Sequence, residues 1–390
     1  MKIIFAPDSF KGSLSAETIC HLLEQEAKKV FPNCETLSLP VSDGGEGAVE
    51  VVIPHVKGII HHLEVHGPLG KKVSAKYGRF HNDCMLIEMA SASGLTLVRP
   101  EERDILHANT FGTGELIRHG LDTGCRHFYI AIGGSATNDG GIGCAAALGV
   151  RFFDETNQEL PPYPINLEQI RHIDTSMVHP ALKDASFTVM CDVQNPLTGP
   201  KGATAVFGLQ KGGSPDELSF LENGMCHYRN LLKDFSHKDI GAVPGSGAAG
   251  GLGVGLLAFT NAHLQSGIET ILKILDFERL LPDADLVITG EGQMDYQSAF
   301  GKVPCGVGKL CQKHHVPCIA IVGSLGTGAK EMENYGITSS LSIIPAPMSL
   351  DFAMQNADTL FSDAARQMFL MIRVGLQLSE QACLRRRPES

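Results

Sequence analysis

The sequence predicts an α/β protein of two domains, one of them a Rossmann-like or flavodoxin-like domain with a parallel five-stranded sheet. Apolar runs alternate with segments of helical spacing near both ends of the chain, whereas the centre is rich in strand-like segments. A chain of 390 residues also exceeds what one hydrophobic core usually organises. We therefore expect the two ends to form one domain and the centre to form a mixed α/β domain inserted into it.

The N-terminal part predicts two strand–helix units. An apolar strand, Lys2–Pro7, is followed by apolar residues at helical spacing over 15–31. A second strand over 36–41 leads through a glycine-rich turn into a short helix over 48–55.

The central part begins with three strand-like runs, over 59–66, 72–80 and 84–90. Gly67, Pro68 and Gly70 separate the first two, which indicates an antiparallel meander. The later elements predicted here are a helix over 102–121, strands over 127–132 and 186–191, and helices near 215–235 and 248–260.

Strand–helix alternation resumes in the C-terminal part. The predicted strands cover 284–289, 317–322 and 339–345, and the predicted helices cover 303–315, 329–335 and 350–376. The resulting domains are 1–64 plus 284–378 for the five-stranded domain, 65–283 for the insert and 379–390 for a C-terminal tail. We expect the active site in the cleft between the domains, because ligands of parallel sheets collect at the carboxyl ends of the strands.

Composition limits the classes of partner. A formal net charge of −11 opposes binding to nucleic acid, which needs clustered Lys and Arg. No stretch approaches the ~18 apolar residues of a spanning helix, so no membrane partner is expected. Eleven cysteines without a C-x-x-C pair, and no leader-like N-terminus, favour the cytoplasm. With Trp absent and only six Tyr, any pocket for an aromatic base is expected to be mostly aliphatic. A homo-oligomer is compatible with the sequence.

Six glycine-rich or carboxylate-bearing segments stand at turns, mostly between a predicted strand and a helix. Such turns bring backbone N–H groups close to an anion and favour phosphate. Five of them also carry Asp or Glu, which indicates a divalent cation or a hydroxyl-bearing substrate, and hence phosphoryl transfer. The segments are APDSFKGS (6–13), SDGGEGA (42–48), GGSATNDGGIG (133–143), CDVQNPLTGPKG (191–202), PGSGAAGGLG (244–253) and TGEGQMD (289–295).

The first segment offers Lys11 as a catalytic contact to a phosphate or carboxylate oxygen, although a lysine at a helix start is also often simply solvated. Asp8 is either a helix cap or a ligand to a substrate hydroxyl or metal. Ser9 is either a cap or a substrate contact. We assign Asp8 and Ser9 to substrate binding.

Four carboxylates are candidate metal ligands: Asp43, Glu46, Glu291 and Asp295. Magnesium normally takes one or two protein carboxylates, so at most two of the four are direct ligands. For Asp43 and Glu46 a capping box is the structural alternative.

The central segments supply the remaining candidates. Gly133, Gly134 and Ser135 are predicted to bind nucleotide phosphate, and Asn138 and Asp139 to bind substrate. Ser246, Gly247 and Gly250 are further predicted phosphate contacts, with packing of small residues as the alternative. Asp192 is the predicted catalytic base, and Asn195, beside it, a predicted substrate contact.

These residues closely resemble the bacterial type 1 glycerate kinase family, also called glycerate 2-kinase, over about 1–378. The resemblance rests on the order and spacing of all six segments. It implies ATP-dependent phosphorylation of D-glycerate with Mg²⁺, a two-domain architecture and the 2-phosphate as product, with glycerate 3-kinase or a kinase of a related hydroxy acid as alternatives.

Other classes fit less well. The P-loop pattern G-x-x-x-x-G-K-[ST] is absent, and no G-x-G-x-x-G follows the first strand, which opposes a P-loop NTPase and a dinucleotide-dependent dehydrogenase. The loop at 245–253 resembles that of GHMP-class kinases but lacks the serine pair that usually follows the glycines. A non-enzymatic sugar-acid sensor would bind the same ligand without turnover.

Overall fold

The computed structural model describes residues 1–385 except 46 and 300, with side chains described up to residue 382. The chain divides into two compact units. The first unit consists of Met1–Asp43 and the chain from Ile271 onward, and the second unit is Gly44–Thr270.

The β-strands of the described residues are short. They are β1 (Lys2–Pro7), β2 (Glu35–Ser38), β3 (Ile59–His66), β4 (Lys72–Phe80), β5 (Cys84–Glu88), β6 (His127–Ala131), β7 (Arg151–Phe153), β8 (His172–Asp174), β9 (Ser186–Met190), β10 (Ala262–Gln265), β11 (Leu286–Gly290), β12 (Gln293–Met294), β13 (Cys318–Val322), β14 (Ser324–Leu325) and β15 (Ser339–Ser342).

The α-helices vary more in length. They are α1 (Ala16–Val30), α2 (Ala48–Val52), α3 (Ala90–Ser93), α4 (Phe111–Asp122), α5 (Ile142–Ala147), α6 (Ala203–Phe207), α7 (Pro215–Ser236), α8 (Ala248–Phe259), α9 (Gly267–Ile274), α10 (Val303–Lys313), α11 (Leu350–Gln355) and α12 (Ala357–Arg385).

The first unit contains a parallel five-stranded sheet in the order β15-β13-β11-β1-β2. Counted within the unit, this is the flavodoxin-like order 2-1-3-4-5, which confirms the predicted fold class. Consecutive apolar residues such as Ile3 and Ile4 face opposite sides of the sheet and are both fully buried. Both faces are therefore covered, as expected for a parallel sheet.

Helices α1 and α12 contribute to the core of the first unit. Phe10 meets Phe361 edge-to-face at 5.7 Å between ring centroids, and Phe31 meets Phe369 at 6.5 Å. The Ser15 side chain accepts a hydrogen bond from the Thr18 N–H at 3.1 Å, so α1 begins with a conventional cap. These contacts join the two ends of the chain in one core.

The second unit contains a mixed six-stranded sheet in the order β10-β9-β6-β5-β4-β3. Strands β3, β4 and β5 form the predicted antiparallel meander, and β5, β6, β9 and β10 are parallel. Phe128 of β6 stacks on Phe187 of β9 at 4.8 Å in the core. Helix α7 starts with a full capping box between Ser214 and Glu217.

Several predicted helices differ from the structure: the helix predicted over 48–55 ends at Val52, and the one predicted over 329–335 is a 3₁₀-helix, Ala329–Tyr335. The helix predicted over 102–121 starts only at Phe111, because the preceding residue, Thr110, is held outside it by hydrogen bonds to Asp139. The helix predicted over 350–376 is divided at Asn356, which ends α11, and α12 then continues to Arg385. The predicted tail over 379–390 is thus helical up to 385.

The boundaries of the compact units also differ from those predicted at 64 and 284. Every residue of β3 pairs with β4, so residues 59–64 belong to the sheet of the second unit. The N-terminus of α2 is likewise held by Glu88 of β5. None of the helices among the described residues is both long and apolar enough to span a membrane.

Candidate active site

The first unit has a cavity of about 560 Å³ at the carboxyl ends of β1 and β11. Asp8 follows β1 and Glu291 follows β11, and the Asp8 N–H donates to the Gly290 carbonyl at 2.9 Å. Strand order reverses between these two strands, and such a switch point is where open α/β sheets bind ligands. The topology thus places two predicted site residues in one crevice.

Asp8 lies in this cavity in a setting that disfavours its charge. Burial, together with the nearby Asp43 carboxylate, raises the pKa of Asp8 to about 7. The Ser9 N–H, which donates to Asp8 Oδ1 at 2.7 Å, and the Lys11 ammonium oppose this rise. Asp8 and Ser9 both line the cavity, and the hydrogen bond to Asp8 fixes the backbone of Ser9.

Lys11 lies on a tight turn beside the carboxylates. Its Nζ is 3.6 Å from Asp43 Oδ2, and its side chain is 79% exposed. The turn is closed by the Phe10 carbonyl, which accepts from Ser13 and Leu14. An ammonium so exposed is available to an anion, and its surface ion pair with Asp43 contributes little to stability.

Glu291 is the most buried carboxylate of the cavity. Ser298 donates to its Oε1 at 2.5 Å, and Lys302 Nζ lies 3.3 Å from its Oε2. Burial nevertheless raises the pKa of Glu291 above its ordinary range, with the Ser298 and Lys302 contacts opposing. Lys302 lines the same cavity and was not predicted from the sequence.

Asp295, the fourth predicted metal ligand, does not line this cavity. Its carboxylate accepts from the Gln297 N–H at 2.8 Å, and its own N–H donates to Ser298 at 3.1 Å. Asp295 thus stabilises the turn that carries Ser298, which in turn holds Glu291. Glu46 lies outside the described residues.

Among the residues that the structure describes, no cluster of three or more His, Cys, Asp or Glu side chains is arranged to hold a metal. Magnesium does not need one, because it keeps several waters and binds through one or two carboxylates and substrate phosphates. Asp8, Asp43 and Glu291 provide hard oxygen donors that repel one another, and a cation would relieve that repulsion. The donor set fits Mg²⁺ bound together with a phosphate.

The loop after β6 carries the predicted phosphate-binding residues of the second unit. Gly133 and Gly134 are exposed, and a Cβ at Gly133 would meet no atom within 4 Å. Gly134 adopts a φ of +74°, a conformation that favours glycine. Ser135 follows and is mostly buried. The start of this loop is therefore exposed, and its role in binding phosphate stays a prediction.

A buried lysine lies behind that loop. Lys211 is 2% exposed, and its Nζ donates to Ser135 Oγ at 2.8 Å and to the Thr137 carbonyl at 2.6 Å. Burial lowers the pKa of Lys211 to about 7. The glycine pair after it indicates a turn, but nothing in the local sequence indicates a buried amine, so sequence reasoning missed it.

Asp139, which is predicted to bind substrate, lies inside the second unit. Its carboxylate is fully buried and accepts four hydrogen bonds, from the Thr110 N–H and hydroxyl and from the Gly141 and Gly143 N–H groups. Burial raises the pKa of Asp139 despite these bonds. The neighbouring Asn138 is also fully buried and donates to Thr204 at 3.0 Å. Both side chains shape the loop from inside.

Ser246, Gly247 and Gly250, predicted to bind phosphate, are instead packed against the protein. The Ser246 hydroxyl donates to the Gly241 carbonyl at 2.8 Å and is fully buried. A Cβ at Gly247 would stand 2.0 Å from the Pro196 carbonyl oxygen, and one at Gly250 would stand 1.9 Å from that of Thr137. Close approach of neighbouring backbone requires glycine at these two positions.

Asp192 follows β9 at the same sheet edge as the open loop and is exposed. Its Oδ1 accepts from the Gly267 N–H at 3.1 Å. Asn195 points its amide to the Lys201 carbonyl at 2.8 Å and so fixes the segment after Asp192. Asp192 is accessible to a ligand because it is exposed, whereas the Asn195 amide is hydrogen-bonded to the backbone of the protein.

Glu88 is a further residue that sequence reasoning missed. It is 2% exposed at the end of β5 and accepts from the Gly47 N–H at 3.1 Å and the Val49 N–H at 2.7 Å. It therefore fixes the end of the SDGGEG segment from within the second unit. The sequence signal that could have found Glu88 is its position at the end of a predicted apolar strand.

The fold and these strand-end sites define an α/β protein of the type that binds small anionic ligands at the carboxyl ends of parallel strands. The family model described as the glycerate kinase family matches residues 3–373. The chain belongs to this family.

Individual relatives are similar over nearly their whole length. A glycerate kinase of Halalkalibacterium halodurans is 43% identical over 93% of this chain and 96% of its own. The glycerate 2-kinase of Escherichia coli is 43% identical over 97% of this chain and 99% of its own. A crystal structure from Salmonella typhimurium LT2, given as glycerate kinase 2, aligns with a TM-score of 0.87 and 43% identity, covering 97% of this chain and 99% of that one.

Proposed function

We propose that this protein phosphorylates D-glycerate with ATP to give 2-phospho-D-glycerate, as a cytoplasmic enzyme of organic-acid breakdown. The observation that carries the proposal is the cavity of the first unit, where carboxylates and two lysines meet at the switch point of the sheet in a member of the glycerate kinase family. The 2-phosphate is favoured over the 3-phosphate because a relative of 43% identity is a glycerate 2-kinase.

The reaction moves one phosphoryl group. A bond forms between the γ-phosphorus of ATP and a glycerate oxygen, the bond from the γ-phosphorus to the ADP oxygen breaks, and the hydroxyl proton passes to a base. Positioning and charge stabilisation dominate such transfers. We propose that Lys11 contacts a phosphoryl oxygen and that Asp8 and Ser9 orient groups at the same end of the cavity. Mg²⁺, when bound, neutralises phosphate charge there.

The second unit contributes two accessible groups. Asp192 is proposed as the base for the substrate hydroxyl, because it is exposed at a strand end. The N–H groups of Gly133, Gly134 and Ser135 are proposed to bind an oxyanion. That all these groups surround one reaction centre remains a prediction from the sequence.

Phosphorus NMR of the products made from D-glycerate, Mg²⁺ and ATP tests the proposal. The expected result is ADP together with a phosphomonoester coupled to a single proton, as in 2-phosphoglycerate. Coupling to a methylene pair would identify the 3-phosphate, and binding without ADP formation would identify a sensor. Asp192→Asn is expected to lower turnover more than nucleotide affinity.

A further inference from the structure

We infer that the cavity of the first unit is the nucleotide site, with the adenine base against its aliphatic wall and the phosphates at its lysine-bearing end. The inference rests on the proposed function and goes beyond it by assigning the ATP to particular residues. From the sequence, the nucleotide-phosphate contacts are predicted at 133–135 and 246–250 in the second unit, and in the first unit Lys11 alone is predicted as a contact to a phosphate or carboxylate oxygen.

The size of the cavity favours a nucleotide over the acceptor. Cavities of roughly 300–1,000 Å³ suit ligands of drug or cofactor size, and this one measures about 560 Å³. A three-carbon hydroxy acid would fill only a small part of it. A nucleoside triphosphate has both the length and the mixed polarity that the cavity offers.

One wall of the cavity is aliphatic. It consists of residues after β15 and of α11, among them Ile343, Met348, Leu350 and Met354. Leu350 is 73% exposed and Met354 36% exposed, so a ligand would cover apolar surface that now faces water. Glycerate has no apolar face to place there, whereas a purine has two. The wall also matches the aliphatic adenine pocket expected from a chain without Trp.

The polar part of the cavity lining carries the charges that phosphates require. Lys11 and Lys302 are the cations, and the carboxylates of Asp8, Asp43 and Glu291 would supply oxygen ligands to Mg²⁺, at most two of them directly. Three carboxylates against two ammonium groups leave this part with a formal charge of −1, so the bare polyanion is disfavoured and its magnesium complex is favoured.

The aliphatic wall and the polar part of the lining meet at Gly12. Its φ is +79°, and a Cβ there would stand 3.1 Å from Met354 Cε. The phosphate-facing turn therefore touches the aliphatic wall, and the glycine gives both the turn conformation and the room.

Calorimetric titration of the full-length protein with MgADP tests the assignment without requiring turnover. Leu350→Ala trims exposed wall and is expected to raise the Kd for MgADP about threefold. Met354→Glu places a carboxylate against the base and is expected to raise it at least about tenfold. Leu378→Ala, at a leucine of α12 that is 61% exposed and lies outside the cavity, is the matched control and is expected to change nothing.

Kinetics then separate the two ligands. The same two variants are expected to raise the KM for ATP and to leave the KM for D-glycerate within about twofold. The assignment is overturned if MgADP fails to bind the wild type, if all variants bind it equally, or if only the KM for glycerate rises. MgADP binding that depends on Leu350 and Met354 in a protein that does not phosphorylate glycerate would support the nucleotide site and reject the proposed function.

Discussion

The cavity of the first unit and the 133–143 loop of the second both follow parallel strands, yet they use their polar groups in opposite ways. In the cavity, Asp8 and Lys11 face open space, and repulsion among carboxylates is only partly relieved. In the loop, Asp139 and Lys211 are buried and bonded to the protein itself. The first arrangement is suited to a ligand, and the second to holding a backbone in shape.

The difference shows that a carboxylate or lysine in a glycine-rich turn has two physical uses. A buried charge must be satisfied by the protein, because leaving it unpaired is costly. An exposed charge keeps its binding capacity but contributes little to folding. Stability and activity should therefore respond to different substitutions in the two regions.

Removal of the Asp139 carboxylate should give the largest effect. Asp139→Ala leaves four buried donors without their acceptor, and the free energy of unfolding is expected to fall by about 3–5 kcal/mol. Chemical denaturation measures this. Asp154→Ala is the control, since Asp154 accepts three hydrogen bonds at an exposed turn and should cost less than about 1 kcal/mol. Equal losses in the two variants would contradict the comparison.

Asp8→Asn should affect activity and spare the fold. The amide keeps the shape and can still accept from the Ser9 N–H, but it removes the charge, so turnover is expected to fall about 100-fold. The melting temperature should stay the same or rise, because Asp43 and Glu291 lose a like-charged neighbour. Asp285→Asn, at an exposed aspartate, is the control. Full activity of Asp8→Asn would remove the cavity from the reaction.

The smallest expected effect is a pH dependence due to Lys211. Above about pH 7 the folded protein has lost the Lys211 proton, whereas the unfolded chain keeps it up to its ordinary pKa of 10.5. The unfolded state then binds more protons, so this residue makes stability rise with pH, by at most about 1.4 kcal/mol per pH unit. Below about pH 7 its contribution is constant.

Lys211→Met should abolish that rise. The measurement is the difference in unfolding free energy between wild type and variant at about pH 7 and about pH 8.5. Lys233→Met, at an exposed lysine of α7, should keep the slope of the wild type. Identical slopes in the wild type and in Lys211→Met would show that the buried amine does not titrate in this range.

The sequence predicted the architecture well because both sheets follow local rules. The apolar run Lys2–Pro7 indicates a strand, and Gly67 and Gly70 indicate a turn. Both signals lie in the local sequence and need no knowledge of tertiary contacts. The start of α4 was wrong because it is set by Asp139, far away in the chain. Lys211 and Lys302 were missed for the same kind of reason, since burial and cavity lining depend on tertiary contacts.

The candidate site was predicted only in part. Asp8, Ser9, Lys11, Asp43 and Glu291 do line one cavity of the first unit. Ser246 and Gly250 have the composition of a phosphate loop but serve close packing, because glycine gives the same signal for a ligand and for a neighbouring backbone. Composition alone does not separate these two uses.

The interrupted chain path of the first unit also bears on synthesis by the ribosome. Strand β1 has β2 as its early neighbour, but its other neighbour, β11, is translated only after the whole second unit. Domains fold as units during translation. The second unit can therefore fold on the nascent chain before the first unit is complete. Until the last third of the protein emerges, the unpaired apolar edge of β1 has to be kept from aggregating.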